Sequence, residues 1–360
     1  MSLFLLAAAA LTAQQLNLKQ YGQEQGLMNL VAQCMLQDRA GYVWVGTQAG
    51  LFRYDGSEFR GYSTDRGLPG AWILGLHETS DGTLWVATQG GLARRAGERF
   101  EAVRGPAGYE ISGRAALSAD AEGTLYAATN KGLLSVRRAG RGGPVAAFEK
   151  LGIDTGPVFG VHVDVRGSVW LGCRNRVLRF DRGPGAGARA GSLAARSHVI
   201  AYGRAEGLPD GAWNAVLSDR NNNVWVRSAE RLMMLPAGAR RFVPLDRGLP
   251  QSTYTDGVLN LDAQGRLFVA TDLGLAMRSG ERWELIDRRR GLPINAVGCF
   301  MQDREGSIWI GLSGSGVVRW VGSGSWEAWT PAEGLSNESI WNIRRDRAGT
   351  IWVGTDQGLN

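Results

Sequence analysis

The chain has 360 residues, with 40 Lys and Arg against 34 Asp and Glu, which gives a formal net charge of +6. Hydrophobic residues make up 44% of it and 52 residues are glycine, so the chain is globular and turn-rich rather than disordered. The basic residues are scattered and form no Lys/Arg block, which argues against a nucleic-acid partner for this segment.

The N-terminal segment, residues 1–13, is apolar except for Ser2 and Thr12. It is too short to span a bilayer and is typical of a secretory signal, so we expect an exported, extracytoplasmic or periplasmic protein. The usual basic residues are absent and the cleavage site is imperfect, which leaves a misplaced start codon or an uncleaved anchor open. No later stretch approaches the ~18 apolar residues of a transmembrane helix. A membrane anchor of the full-length protein would therefore follow Asn360.

A short motif recurs eight times along the rest of the chain. Each copy centres on an aromatic residue, with Asp six residues and Gly three residues before it; Thr79 replaces the Asp once and Asn222 replaces the Gly once. The copies are 41 to 55 residues apart, and strand-like repeats at such spacing are typical of β-propeller blades. The eight aromatic positions are Trp44, Trp85, Tyr126, Trp170, Trp225, Phe268, Trp309 and Trp352.

The first copy illustrates why the motif predicts a hairpin. Asp38 can accept hydrogen bonds from the amides of the turn that it opens, and Gly41 supplies the left-handed conformation that such a turn needs. Residues 42–47 are then rich in β-branched and aromatic types, as in a strand. We expect four strands in this repeat, near residues 31–38, 42–47, 51–55 and 58–62.

Connectors with the pattern Gly-Leu-Pro or Gly-Leu join successive repeats. In a four-stranded meander, the link between blades lies at the same end as the turn between the second and third strands. One face of the disc should therefore collect the connectors together with the turns before Gly50, Gly91 and Gly274; we call it the connector face. The connectors are residues 26–27, 67–69, 207–209, 248–250, 291–293 and 334–335.

These features predict an all-β protein, a β-propeller of four-stranded blades, which stack because a single blade cannot bury its own apolar face. Two arrangements are open. Residues 14–330 would form seven blades and residues 331–360 the incomplete start of a second propeller, or all eight repeats would form one eight-bladed ring. Leu18–Tyr21 is an outer-strand candidate that could close either ring by pairing with a blade late in the chain.

The pattern Asp-x-x-Gly-x-(Val/Leu/Ile)-Trp-Val-Gly-Thr-x-x-Gly-Leu, with Gly-Leu-Pro between copies, resembles the two-component regulator propeller repeat. The resemblance covers residues 18–360. This repeat builds the extracytoplasmic sensor region of bacterial hybrid histidine kinases and related receptors, commonly followed by a small β-sandwich, a transmembrane helix and a kinase or diguanylate cyclase. The resemblance implies a sensor fragment whose output domain is missing, anchored through a missing C-terminal part and compatible with a homodimer of the full-length receptor.

Catalytic and metal-binding motifs are missing. The three histidines are dispersed, and no pair of the three cysteines has metal-ligand spacing, so the cysteines are expected to fill the core. Residues 219–223 superficially resemble a calcium loop but lack its glycine and terminal glutamate, so we interpret them as a hairpin turn. We therefore predict no metal and no cofactor, and no catalytic residue can be assigned in this segment.

Three arginines replace small residues in the fourth and fifth repeats. Arg176 and Arg231 stand where other repeats have the turn glycine, and Arg227 stands where they have Gly or Ala. One interpretation is drift in two irregular blades, which are also separated by a Gly/Ala/Arg-rich insertion at residues 181–195 that is expected to be a surface loop. The other is a basic patch on the connector face that pairs with the carboxylates or sulfates of an acidic ligand.

Aromatic residues that follow the connectors form a second candidate set. They stand where the chain enters the innermost strand, near the central channel, and could stack on sugar rings. Packing between blades uses the same residue types, so core packing is the alternative for each. The four are Trp72, Trp213, Tyr254 and Trp341.

Three classes of function remain. The first is a sensor module that binds a small extracellular ligand, such as an oligosaccharide or an acidic carbohydrate fragment. The second is a structural or protein-interaction propeller. The third, least favoured, is a propeller glycosidase or lyase, because the repeated Asp belongs to the turn of nearly every blade and no separate acid, base or nucleophile can be singled out.

Overall fold

The computed structural model describes residues 16–138, 144–149, 151–182, 193, 197–252, 258–322, 331 and 334–360. The signal-like segment, residues 1–13, lies outside the described residues, and so does Tyr254. Of the predicted insertion at residues 181–195, Asp181 and Arg182 extend a strand rather than open a loop, and most of the remainder is not described.

The described chain consists of β-strands joined by turns and short 3₁₀ helices, and it contains no helix long and apolar enough to cross a membrane. Little or no helix was expected, and the fold confirms it. The strands, numbered in chain order, are β1 (Leu18–Tyr21), β2 (Ala32–Gln37), β3 (Val43–Thr47), β4 (Gly50–Tyr54), β5 (Phe59–Tyr62), β6 (Ile73–Glu78), β7 (Leu84–Thr88), β8 (Gly91–Ala96), β9 (Arg99–Ala102), β10 (Leu117–Ala119), β11 (Leu125–Thr129), β12 (Gly132–Arg138), β13 (Pro144–Phe148), β14 (Val158–Val163), β15 (Val169–Cys173), β16 (Arg176–Arg182), β17 (Ser197–Tyr202), β18 (Ala215–Ser218), β19 (Val224–Arg227), β20 (Leu232–Leu235), β21 (Val243–Pro244), β22 (Leu259–Leu261), β23 (Leu267–Thr271), β24 (Gly274–Ser279), β25 (Arg282–Ile286), β26 (Val297–Gln302), β27 (Ile308–Leu312), β28 (Val317–Trp320), β29 (Ile340–Arg345), β30 (Ile351–Thr355) and β31 (Gly358–Leu359).

Each of the first six repeats folds into one antiparallel sheet of four consecutive strands, beginning with β2-β3-β4-β5. These are the four-stranded blades that the repeat predicts, and the four strands of the first repeat lie where they were expected. The seventh sheet is different, because β26, β27 and β28 take their fourth strand from β1 at the other end of the chain. Its register pairs Leu18 with Trp320 and Tyr21 with Val317.

The strand β1 therefore closes a ring of seven blades. The innermost strand of the first blade, β2, packs against β6 of the second blade on one side and β26 of the seventh on the other. The backbone of Leu30 also accepts hydrogen bonds from Gly314 and Gly316 at this junction. The arrangement of one eight-bladed ring is wrong, because the outer position of the seventh blade is already filled by Leu18–Tyr21, which leaves the eighth repeat outside.

The motif aromatics of the seven ring blades lie in the core. Trp44, Trp170 and Trp309 are at most 2% exposed. All three cysteines are free and buried, as expected of core residues. The connectors begin with short 3₁₀ turns such as Thr64–Arg66, which end at a left-handed glycine. A Cβ on Gly67 would lie 2.0 Å from the carbonyl oxygen of Phe100, so only glycine fits between the connector and the outer strand of the next blade.

The eighth repeat forms a separate three-stranded sheet, β29-β30-β31. It keeps the motif geometry, because the Trp352 indole donates to Asp346 as the indoles of Trp170 and Trp309 donate to their Asp residues. Its apolar side chains, however, remain uncovered: Trp341 is 78% exposed and Ile343 61%. The same pattern of residues that is buried in seven blades is thus exposed where the described chain supplies no neighbouring blade.

Candidate functional site

The connector face is assembled as the repeat predicted. A Cβ on Gly90, in the turn between the second and third strands of blade two, would lie 2.1 Å from the carbonyl oxygen of Pro69 in the connector. The Gly50 amide of blade one donates to the carbonyl of Ala71, which follows that same connector, at 2.8 Å. Connectors and turns therefore form one continuous surface around the mouth of the central channel.

A β-bulge recurs at this end of the innermost strand. In blades one, two, four and seven, and in the eighth repeat, the pairing between the first two strands skips one residue, always five positions before the motif's Asp or Thr. A bulge leaves its extra residue unpaired and re-aims its side chain. The residue type differs from blade to blade, whereas the hairpins at the opposite face repeat almost unchanged. The five bulged residues are Gln33, Leu74, Phe159, Gly298 and Trp341.

One arginine from blade three crosses the channel at this level. Arg114 Nε donates to Oε1 of Gln33 in blade one at 3.1 Å, and Arg114 Nη1 donates to the carbonyl oxygen of Gly298 in blade seven. Blade two separates blade three from blade one along the ring, so these contacts are made across the channel. Both acceptors are neutral, and both belong to bulged positions.

Blade four supplies a second arginine on the connector face. The guanidinium carbon of Arg174 is 5.7 Å from the ring centroid of Phe159, the bulged residue of blade four. At the equivalent position of blade five stands Asn214, whose amide donates to the Arg227 carbonyl at 2.8 Å and whose side-chain Oδ1 is buried without a partner. We call the group Gln33, Arg114, Phe159, Arg174, Asn214 and Gly298 the channel mouth.

Arg227, predicted to meet ligand, is instead a buried link between blades five and six. It is 3% exposed, and its two Nη atoms donate to the carbonyl oxygens of Val258 at 3.0 Å and Ala270 at 2.8 Å. Burial lowers the pKa of Arg227 to about 10, and the nearby Asp272 opposes this shift. Its long side chain replaces the Gly or Ala of other repeats by reaching into the next blade, so it presents no free guanidinium to solvent.

Trp213, predicted as a stacking platform, is also a core residue. It is fully buried, in the cluster that contains Trp170 and Tyr202. Its backbone oxygen approaches Gly172 so closely that a Cβ there would lie 2.0 Å away. Trp72, by contrast, is 40% exposed, and Trp341 is exposed on the eighth repeat rather than on the ring.

The two remaining arginines lie in separate depressions of the connector face. Arg231 Nε donates to Asp246 at 2.6 Å, in an open groove of about 440 Å³ that also contains Leu208 and Pro209 of the connector. Arg176 donates to the backbone carbonyl of Asp154, a residue that lines a smaller pocket of about 260 Å³. No contact joins Arg176 to Arg231 in the described part of the chain, so the predicted arginine patch is not one cluster.

The residues of the channel mouth were missed by sequence reasoning, although one signal was present. Arg114 stands six residues before its motif Asp, where neighbouring blades have Ala32, Ile73 and Val158. A charged residue at a position that is apolar in other repeats is the kind of departure that marks a functional position.

The described histidines belong to no cluster of metal-ligating side chains. Among the described residues, no group of His, Cys, Asp and Glu could ligate one. His162 Nε2 lies 2.8 Å from Ser218 Oγ and accepts from the Ser218 amide at 3.2 Å, which links blades four and five. Burial lowers the pKa of both His162 and His77 to about 4, so these imidazoles are neutral near pH 7.

The ring of four-stranded antiparallel sheets closed by β1 defines a seven-bladed β-propeller. The two component regulator propeller repeat matches residues 26–49, 67–90 and 291–314 in the ring and residues 334–357 in the eighth repeat. No curated protein matches the chain.

Several solved structures share the fold. The extracellular domain assigned to the hybrid two component system BT3049 from B. thetaiotaomicron is 19% identical, with a TM-score of 0.67 over 96% of this chain and 48% of that one. The corresponding domain of BT4673 from the same organism is 19% identical, with a TM-score of 0.63 over 96% and 45% of the two chains. This chain thus spans about half the length of those domains. Virginiamycin B lyase from Staphylococcus aureus is 10% identical, with a TM-score of 0.62 over 85% and 99%.

Proposed function

We propose that this chain is the extracytoplasmic ligand-sensing propeller of a bacterial signal-transduction receptor of the histidine kinase or diguanylate cyclase type. The output domain and the membrane anchor would lie outside this sequence, and the full-length receptor would work as a homodimer. The ligand would be a small extracellular molecule, such as an oligosaccharide, that binds on the connector face. The repeat-family match and the extracellular solved relatives support this assignment.

One observation carries the placement of the ligand on the connector face. The repeats keep the same hairpins and core residues, yet the bulged position at the channel mouth holds a different residue in almost every blade, from Gln33 to Phe159 and Gly298. Structural constraints would favour one residue type at equivalent positions, as they do for the motif Asp. A surface that recognises a particular molecule needs individual side chains on a common frame.

The test is calorimetric titration of the purified chain with a panel of neutral and acidic oligosaccharides. Phe159→Ala truncates a side chain at the channel mouth, and Arg231→Ala truncates one in the groove, so the two variants test two separate parts of the connector face. Arg39→Ala, an exposed change in the opposite hairpins, is the matched control. We expect at least one ligand whose affinity falls by roughly 10-fold in a connector-face variant, as for the loss of an anchoring contact. A ligand that binds all three variants like the unchanged protein contradicts the placement.

The eighth repeat favours a second candidate function, protein interaction. Its sheet exposes Trp341, Ile343 and Ile351, each at least 60% accessible, whereas Val43, the equivalent of Ile351 in blade one, is 4% exposed. We propose that further blades of a second propeller cover it in the full-length protein; a partner protein is the alternative. Crosslinking of the full-length protein, followed by mass spectrometry, shows whether the residues that contact this sheet belong to the same chain or to another protein.

A further inference from the structure

The channel mouth carries a positive charge that no described carboxylate balances. Arg114 is half-buried, its two hydrogen-bond acceptors are a side-chain amide and a backbone carbonyl, and it forms no ion pair with a described acidic residue. The two thiols nearest to it do not compensate, because burial raises the pKa of Cys299 to about 12 and that of Cys34 further, so both are neutral. A confined cation of this kind concentrates anions at its surface.

The geometry of Arg114 leaves donors for such an anion. A guanidinium carries five N–H groups, of which Nε–H and one on Nη1 are used by Gln33 and Gly298. The remaining three are one N–H on Nη1 and both on Nη2, and a guanidinium can bind a planar carboxylate through parallel hydrogen bonds from Nη1 and Nη2. The two existing bonds hold the guanidinium in place, so little side-chain freedom would be lost on binding.

The surroundings favour a carboxylate over a doubly charged phosphate. One half-buried guanidinium balances one negative charge, whereas a dianion would need a second cation at equal depth. The second arginine, Arg174, is exposed and lies against the ring of Phe159. Phe159 offers an apolar surface and Arg174 an exposed cation, and both suit the body of a ligand rather than its buried anionic group.

We propose that the channel mouth binds a small carboxylate-bearing ligand, whose carboxylate pairs with Arg114 and whose body rests on Phe159 and Arg174. This proposal rests on the proposed sensing function, and it identifies the ligand class and the exact subsite. Because the acceptors of Arg114 belong to blades one and seven, a ligand that recruits the guanidinium also acts on the junction where β1 closes the ring.

The experiment compares glucuronate with glucose, which has the same ring without the carboxylate, by calorimetric titration of the purified chain. Arg114→Gln removes the charge. Arg114→Lys keeps the charge but cannot form the bidentate hydrogen bonds of a guanidinium. Arg39→Gln makes the same charge change at an exposed position of the opposite hairpins. Gln33→Met removes the acceptor that holds Arg114 Nε without changing any charge, and thermal melting checks that each variant is folded.

We expect glucuronate to bind and glucose to bind far more weakly. Arg114→Gln should reduce glucuronate affinity by roughly 10- to 100-fold, as for loss of a charge-assisted hydrogen-bond pair, with Arg114→Lys between. Arg39→Gln should leave the affinity unchanged, and Gln33→Met should weaken it less than Arg114→Gln does, because the charge remains. A purely structural role of Arg114 would instead make Arg114→Gln lower the melting temperature without changing the ratio of glucuronate affinity to glucose affinity.

Three results overturn the proposal. The first is equal binding of glucuronate and glucose, and the second is glucuronate binding that survives Arg114→Gln in a folded protein. The third is no binding of glucuronate, galacturonate or lactate up to about 50 mM, a range that still detects very weak complexes. After any of these results, the sensing function would still stand if a neutral oligosaccharide bound the unchanged protein and the Arg114→Gln variant equally well.

Discussion

The indole nitrogen of Trp44 donates a hydrogen bond of 2.7 Å to Oδ2 of Asp38, while Oδ1 of the same carboxylate accepts from the Tyr42 amide at 3.0 Å. The pair Trp170 and Asp164 repeats the first bond at 2.9 Å. The motif Asp therefore does two things at once: it closes the hairpin and it fixes the buried aromatic ring. This explains why Asp and the aromatic residue recur together at a spacing of six.

Trp44 and the aromatic residues at the equivalent position of the other repeats should have a structural role. Trp44→Ala removes a fully buried ring and should lower the free energy of unfolding by about 3–5 kcal/mol, the usual cost of such a cavity. Trp44→Phe keeps most of the ring but leaves the buried Asp38 oxygen without its donor, which should cost roughly 1–3 kcal/mol. Urea unfolding measures both. Wild-type stability in Trp44→Ala would mean that the repeat's core has been misassigned.

Ring closure by β1 should depend on Tyr21. This residue is 2% exposed and stacks on Trp309 of the seventh blade, with ring centroids 5.3 Å apart. Tyr21→Ala should therefore destabilise the ring by about 3–5 kcal/mol, like other buried aromatic truncations. Lys19→Ala in the same strand, whose side chain is exposed, should cost less than about 1 kcal/mol. Equal melting temperatures for the two variants would contradict closure through this strand.

The two tryptophans after connectors should respond differently to truncation. Trp213→Ala should destabilise the protein by roughly 3–5 kcal/mol, because the side chain is fully buried. Trp72→Ala, at 40% exposure, should cost about 1 kcal/mol or less. Thermal melting of both variants checks this. Comparable losses would show that Trp72 is as deeply packed in solution as Trp213.

Stability should fall in mild acid through the buried histidines. Their pKa is lowered from 6.5 to about 4 in the fold, so between those values the unfolded chain binds more protons and the free energy of unfolding rises with pH. Stability is therefore complete above about pH 6.5 and is lost as the pH falls towards 4. Near His162, the charge of Asp164 works against this shift and His77 adds to it.

His162→Gln isolates that effect. The variant should show a smaller difference in unfolding free energy between pH 7.5 and pH 5 than the unchanged protein, by roughly 1–2 kcal/mol from one depressed histidine. The measurement at pH 7.5 serves as the control for lost packing against Ser218, since the imidazole is neutral there. An unaltered pH dependence would mean that His162 is accessible to protons in the folded state.

Removal of the eighth repeat should leave the ring intact. The seven sheets close through β1 and β28 without any strand from residues 331–360. A chain ending before residue 331 should therefore melt at the same temperature, and it should bind less of a hydrophobic dye because Trp341 and Ile343 are gone. A large fall in melting temperature would show that the eighth repeat supports the ring.

Much of this protein was determined locally, by residues close together in the chain. The hairpin opened by Asp38 and Gly41, the strand that follows it and the burial of Trp44 depend on contacts within a few residues, so the repeat could be read directly from the sequence. The connector face followed from the same argument, because the ends of a four-stranded meander are set by strand order alone.

Only the tertiary structure decided how the blades meet. Whether Leu18–Tyr21 closes a ring of seven or of eight blades depends on contacts between residues about 300 positions apart. Because the repeats resemble one another, their sequences do not show how many of them form the ring. For the same reason Arg227 could not be placed from its repeat, since its partners, Val258 and Ala270, belong to the next blade. The contact between Arg114 and Gln33 exists because the ring curves until blades one and three face each other across its channel, and curvature is a property of the assembled ring.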